Sequence, residues 1–138
     1  MGNSKSPVQN LTPRILLVED SDDLRTLMVL VLQSEGYVVD AVPTAPEGLA
    51  WLSSVSYDMV LSDYALPGHS GAWMLREAVE RRLVDPQRAL IITAHPNPAD
   101  TAGFEVVRKP LDFESFLRHI RELLADRDGE RDDPCVGR

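Results

Sequence analysis

Cysteine is almost missing from this chain: Cys135, near the carboxyl end, is the single one among 138 residues. A lone thiol forms no internal disulfide, so no covalent staple shapes the fold and the expected compartment is a reducing one. Long apolar runs are missing as well. No segment approaches the roughly 18 apolar residues of a membrane span, and Met1–Leu11 lacks a signal peptide's apolar core. Basic excess is missing too, since Lys+Arg 14 against Asp+Glu 22 leaves a formal charge of -8 and a pI near 4.8. Nucleic acid and anionic membranes are bound through basic patches, so direct nucleic-acid binding and membrane insertion fall outside the expected functions. A soluble, acidic, cytoplasmic domain is expected. Lysine is the scarcest charge of all. Only Lys5 and Lys109 are lysine, and the other basic residues are arginine. An ammonium in an arginine-rich chain calls for a chemical reason.

What is present suits one domain, which at this length buries roughly 70% of its unfolded surface and so builds a core without staples. Residues 1–13 are polar and broken by Pro7 and Pro13, a flexible arm. Residues 14–125 carry the domain, and 126–138, charged and interrupted by Gly129 and Pro134, read as a disordered tail. Arg14–Val18 is a buried strand that stops at Glu19-Asp20. Ser21 caps a helix with Asp22 and Asp23 in its first turn, where the macrodipole favours acids. Leu24, Leu27, Met28 and Val31 set its inner face, and it ends before Gly36. A strand over Tyr37–Val42, a short helix over Pro46–Leu52 and a strand over Met59–Ser62 follow. Then come a helix over Gly71–Leu83, strands over Ala89–Thr93 and Phe104–Arg108, and a last helix capped by Asp112. Strands alternating with helices mean right-handed βαβ units, a doubly wound parallel sheet, and a ligand site at the carboxyl ends of the strands.

Four of those ends deliver polar groups to one rim: Glu19-Asp20, Asp63, Thr93 and Lys109. Clustered carboxylates repel, and a hard divalent cation resolves the conflict. Mg2+ suits such a site because it accepts carboxylates, keeps waters and bridges to phosphate oxygens. Asp63 is then placed to act as a nucleophile toward phosphorus and form an acyl phosphate. Lys109 offers a point charge and the Thr93 hydroxyl a hydrogen bond to the phosphoryl oxygens. A planar guanidinium would be the wrong tool where a compact cation must reach between strands.

The ordered set "ILLVEDSDDLR", "YDMVLSDYALPGHSG", "LIITA" and "VVRKPLDFESFLRHI" resembles the receiver domains of two-component response regulators, over about Arg14 to Leu124. The resemblance implies a flavodoxin-like (βα)5 fold with strand order 2-1-3-4-5. It implies phosphotransfer to Asp63 from a histidine kinase or a histidine phosphotransfer protein. It implies Mg2+ on Asp20, Asp63 and the Ala65 backbone carbonyl, with Glu19 reaching it through water, and a cis Lys109–Pro110 bond. Such a domain is a phosphoacceptor that takes phosphoryl groups from small donors and loses them unaided, not an enzyme in the ordinary sense.

Two features depart from that family. Its switch aromatic falls at Val106 here, so the usual coupling of an inward-turning ring to the threonine is absent. Only Ala94–Gly103 separates the fourth and fifth strands, with Pro96 and Pro98 inside, so the family's fourth helix is expected to be short or absent and the face it helps build truncated. The "GFEVVRKP" ending resembles receivers of hybrid histidine kinases more than those of transcription factors. His69 and His119 read as surface residues. His95, two past Thr93, and Ala65, two past Asp63, flank the expected phosphoryl position and are candidates for tuning hydrolysis. The outer apolar residues of the first helix fit either wide packing or docking on a kinase helical bundle.

The function expected is a single-domain receiver, monomeric or weakly dimeric, acting through protein contacts or as a phosphorelay element. The alternative is a receiver-fold binding module that is never phosphorylated, although such modules lose an acidic or lysine position and this chain keeps them all. A phosphohydrolase of the haloacid-dehalogenase type also uses Asp, Thr, Lys and Mg2+, and Asp20-Ser21-Asp22 mimics its D-x-D. That family puts the nucleophile on the first strand and an acidic pair after the lysine, where this chain has only Asp112 and a helix.

Overall fold

The computed structural model describes residues 12–95, 98 and 100–136, with side chains up to position 125. The arm expected over 1–13 therefore lies outside the described residues as far as position 11, as does Pro96. Five parallel strands, β1 (Arg14–Val18), β2 (Val38–Val42), β3 (Met59–Asp63), β4 (Ala89–Thr93) and β5 (Glu105–Arg108), form one sheet of order β2-β1-β3-β4-β5. Among the described residues there are four α-helices: α1 (Asp22–Ser34), α2 (Ala45–Ser54), α3 (Gly71–Glu80) and α4 (Phe113–Val136). None is long and apolar enough to cross a membrane. The strand order and flavodoxin-like fold are those the sequence predicts.

The central strands explain the continuous apolar runs. β3 and β4 are buried throughout and β1 from its second residue, because helices cover both faces of a parallel sheet. Within each run the side chains alternate. Ile15, Leu17, Met59, Leu61, Leu90 and Ile92 pack with Met28 and Leu32 of α1 and Phe116, Ile120 and Leu124 of α4. Leu16, Val18, Val60, Ala89 and Ile91 pack with Ala45, Leu49 and Leu52 of α2 and Met74, Leu75 and Ala78 of α3. The edge strands β2 and β5 are only half-buried.

Side chains start the helices. Ser21 Oγ accepts from Leu24 N–H, Thr44 Oγ1 from Glu47 N–H and Ser70 Oγ from Trp73 N–H. At α4 the Asp112 carbonyl accepts from Phe116 N–H, as expected of its cap, and its carboxylate accepts from Ser115 Oγ.

Three expectations need correction, and one is met. In α1 the inner stripe runs through Leu24, Met28 and Leu32, whereas Leu27 is 45% exposed. At 100° per residue, position 27 falls off the line joining 24, 28 and 32. The helix begun at Gly71 stops at Glu80, not Leu83. Leu83 N–H bonds to the Ala78 carbonyl and Arg82 N–H to that of Val79, a Schellman closure with Arg82 in the left-handed position (φ 59°) where glycine is usual. No described residue of the β4–β5 crossover is helical, which fits a missing fourth helix; turns at Thr101–Phe104 close it instead. Finally, α4 runs through the residues expected to form a disordered tail, as far as Val136. Gly129 and Pro134 argue for a break, by about 1 and 3 kcal/mol, and nothing in the structure explains why the helix continues past them.

Arg82 is exposed, and a left-handed conformation costs a non-glycine residue about 1–2 kcal/mol, against about 0.4–1 kcal/mol of extra chain entropy for glycine. Arg82→Gly is therefore expected to stabilise the fold by about 0.5–1 kcal/mol, read as a higher urea midpoint at unchanged m-value.

Candidate functional site

The carboxyl edge of the sheet gathers the site because β1, β3, β4 and β5 all point the same way. β1 ends at Val18, and Glu19 N–H then bonds to the Val42 carbonyl of β2, which turns the Glu19 side chain into the protein. Glu19 is only 2% exposed. Its Oε2 accepts from Ser21 N–H at 3.0 Å and its Oε1 from Lys109 Nζ at 3.3 Å. Arg25, one turn into α1, donates to the Glu19 carbonyl at 2.8 Å and to Asp22 at 2.6 Å, tying the helix start to the strand end. Asp63 closes β3 and is 7% exposed, and its Oδ2 accepts from Lys109 Nζ at 3.2 Å. Asp20 stands exposed beside them.

Oxygens of Glu19, Asp20 and Asp63 lie within 4.8 Å of one another. Against these three carboxylates Lys109 brings one ammonium, so the group is short of positive charge by two. Burial pushes the Glu19 carboxyl up from its ordinary value, opposed by the Ser21 N–H bond and reinforced by the Asp63 charge. For Lys109 burial works against the ammonium, but the Asp63 and Glu19 carboxylates outweigh it and its pKa is raised. Lys109 therefore stays charged between its two partners. The donor set, all hard oxygens with a deficit of two charges, fits a divalent cation of the Mg2+ type.

Thr93 ends β4, is 1% exposed, and its Oγ1 accepts from His95 N–H at 2.9 Å. Strand register pairs Asp63 with Ile92, so Thr93 lies one residue beyond Asp63 on the neighbouring strand. Its carbonyl accepts from Lys109 N–H at 2.9 Å, which locks the threonine and lysine strand ends together. The Lys109–Pro110 bond is cis, as the resemblance implies. Ala65 sits on the exposed loop after Asp63, and Val106 is half-buried in β5 opposite Ile91. Of the other histidines, exposed His69 stacks on Trp73, and His119 is paired with Glu105.

Three contributors escape the sequence patterns. Arg25 looks like any helix-surface arginine. Tyr64 is one of several aromatics near strand ends, yet its N–H bonds to the Ile92 carbonyl and its hydroxyl accepts from Asp100 N–H. Gly71 was readable only as a helix start. A Cβ there would stand 2.1 Å from the Asp63 carbonyl oxygen and 2.5 Å from Ser62 Oγ, so only glycine lets α3 approach the site strand this closely.

The sequence matches, over residues 15–121, the family described as the response regulator receiver domain. The chain belongs to that family. Among curated proteins it is 36% identical over 122 residues to the two-component response regulator PhoP of Pseudomonas aeruginosa, covering 84% of this chain and 53% of that protein. It is 33% identical over 117 residues to the transcriptional regulatory protein BasR of Escherichia coli, covering 80% of this chain and 52% of that one. The chain thus spans about half the length of the curated relatives it matches. Among solved structures, the response regulator TrrA of Thermotoga maritima, in complex with Mg2+ and BeF, superposes with a TM-score of 0.72 at 29% identity, covering 81% of this chain and 99% of TrrA. The receiver domain of the hybrid histidine kinase CckA superposes at 0.69 with 26% identity, over 80% and 98% of the two chains. The chain is accordingly a receiver domain of the two-component response regulator family.

Gly71→Ala is expected to cost about 3 kcal/mol, the upper range for overpacking, because the added carbon meets backbone that cannot rotate away. Urea denaturation beside wild type checks it, as a lower midpoint at unchanged m-value.

Proposed function

We propose that Asp63 accepts a phosphoryl group from a histidine kinase or histidine phosphotransfer protein. The observation that carries this reading is the Lys109 ammonium held between Asp63 and Glu19, at 3.2 and 3.3 Å, in a cluster of three carboxylates. A carboxylate with one lysine contact keeps its other oxygen as an attacking group. In the transfer, an Asp63 oxygen forms the new P–O bond, the P–N bond to the donor imidazole breaks, and the imidazole leaves with a proton. Phosphoryl transfer of this kind depends on positioning and on charge stabilisation more than on covalent chemistry. Lys109 can slide its charge from the Asp63 carboxylate to the transferred oxygens without leaving the site. The Thr93 hydroxyl, now bonded by His95 N–H, can rotate to donate to another.

Glu19, Asp20, Asp63 and the Ala65 carbonyl are the groups that would hold Mg2+. When bound, the ion supplies the two missing positive charges and neutralises part of the phosphoryl group. Phosphorylation from small acyl- or amidophosphate donors and spontaneous hydrolysis belong to the same proposal, as does a cytoplasmic setting. The acidic surface suits output through protein contacts, or onward relay of the phosphoryl group, better than contact with nucleic acid.

The test is intact-protein mass spectrometry after incubation with Mg2+ and a small phosphoryl donor. Wild type is expected to gain one phosphoryl group and Asp63→Asn none. No gain by wild type, with Mg2+ shown to bind, would instead support a binding module of receiver fold. Lys109→Met should slow the gain by about 100-fold, the typical loss for one transition-state donor, while tightening Mg2+ binding, because it removes a competing cation from two of the three carboxylates.

His95 N–H bonds to Thr93 Oγ1, and its ring centroid lies 6.5 Å from that of Tyr64. His95→Ala is expected to change the lifetime of phosphorylated Asp63 several-fold, followed by loss of the added mass with time. Equal lifetimes would remove His95 from the chemistry.

A further inference from the structure

Tyr64 directly follows Asp63, and its main chain is fixed on both sides. Its N–H bonds to the Ile92 carbonyl at 2.9 Å and its carbonyl accepts from Gly71 N–H at 3.0 Å. Any motion transmitted from the site through this residue must therefore travel in its side chain. That side chain reaches across to the β4–β5 crossover at two points. The ring lies 6.5 Å from the His95 ring, tilted by 54°. The hydroxyl accepts from Asp100 N–H at 3.3 Å.

We propose that Tyr64 is a positioning residue that couples the Thr93–His95 turn beside the phosphoryl site to the surface of the β4–β5 crossover. It does so from the residue that follows strand β3, whereas the family's switch aromatic would stand at Val106 on β5. Val106 has an aliphatic side chain, packed against the core cluster on the α2/α3 face, and no group with which to hold a crossover amide. The inference rests on Asp63 being the phosphoacceptor.

The coupling runs through bonds already present. Thr93 Oγ1 now accepts from His95 N–H. Drawing the Thr93 side chain toward a phosphoryl group on Asp63 displaces Oγ1, lengthens that bond and shifts His95. His95 stands against Tyr64, so the tyrosine ring must tilt. At 3.3 Å the bond from Asp100 N–H to the Tyr64 hydroxyl is already beyond the usual 2.7–3.2 Å range, which makes it the weak link that a small tilt breaks. Asp100 has independent anchors. Its carboxylate accepts from Ala102 N–H at 2.9 Å and pairs with Arg76 of α3 at 2.9 Å. The crossover therefore does not unravel when the tyrosine lets go; it moves between a tied and an untied position. Because no described residue here is helical, the moving part is a short exposed turn at Asp100–Gly103, with left-handed backbone at Ala102 (φ 54°) and Gly103 (φ 81°). A partner that distinguishes the two states would read this turn and the neighbouring Arg76.

Amide spectra of the full chain test the coupling. Beryllofluoride with Mg2+ serves as the phosphoryl stand-in, with wild type beside Tyr64→Phe, which keeps the ring and removes only the hydroxyl. In wild type the amides of Thr93, His95, Asp100 and Ala102 are expected to shift together. In Tyr64→Phe the shifts at Thr93 and His95 should persist, while those at Asp100 and Ala102 should fall several-fold. Equal shifts at Asp100 in both proteins, or a wild-type response that stops at His95, would overturn the coupling and leave the phosphoacceptor reading intact. No response at Thr93 in wild type would remove both. Arg76→Gln, which cuts a static anchor, should leave the Asp100 response in place.

Discussion

Mutual repulsion among Glu19, Asp20 and Asp63 is the constraint on which the rest of this molecule turns. Carboxylate oxygens held within 4.8 Å, two of the three residues buried, would separate in a flexible chain. Here they cannot separate, because each is attached at or just beyond the end of a strand whose neighbours are fixed by parallel hydrogen bonding. The sheet holds the charges together, and Lys109, delivered by the next strand but one, offsets part of the repulsion. Burying one ammonium between two carboxylates is worth little to stability on balance, since desolvation cancels most of the attraction. Its value lies in leaving the site with an unmet demand for positive charge, which is the condition that the proposed binding of a cation and a phosphoryl group requires.

The same sheet explains why the site tolerates this stress. β1, β3 and β4 are closed on both faces by aliphatic side chains, with Ile15, Leu17, Leu61 and Leu90 fully buried on one side and Leu16, Val60, Ala89 and Ile91 on the other. A core this continuous anchors strand ends to within a fraction of an ångström. The close approach of α3 at Gly71 adds a second restraint, pressing helix backbone against the Asp63 carbonyl. Arg25 supplies a third by tying the start of α1 to the Glu19 carbonyl. Backbone contacts thus set where the acidic groups stand, and side-chain charge sets what they attract.

Much of this was legible from sequence, for a physical reason. An apolar run that ends abruptly on a charged residue marks both a buried strand and the edge where it emerges. Five strand-like runs, four of them followed by Glu-Asp, Asp, Thr and Lys, leave little freedom in the topology. Less legible were features set by contacts distant in sequence. Leu27 and Met28 are both apolar, and only the line of contact with the sheet shows which faces inward. The end of α3 depends on Arg82 accepting a conformation that arginine disfavours, and α4 continues past Gly129 and Pro134. The bond from Asp100 to Tyr64 joins residues 36 apart, and no local pattern announces it.

The shortened crossover shows how a fold accommodates loss of an element. A helix between β4 and β5 would cover the flank of β5 on the α2/α3 face. Here Phe104 and Val106 pack directly on the core cluster of that face, as do Tyr64, Leu66 and Trp73. The aliphatic Val106 fits this thinner cover, where a large ring would need a wall to turn against. Among the described residues of the crossover no helix supplies such a wall. The aromatic stands on the β3 side instead, at Tyr64, where rigid backbone surrounds it and the Asp100–Arg76 pair offers a polar end for its hydroxyl. The aliphatic residue at 106 and the aromatic at 64 thus pack against the same core cluster, beside a crossover whose described residues are not helical.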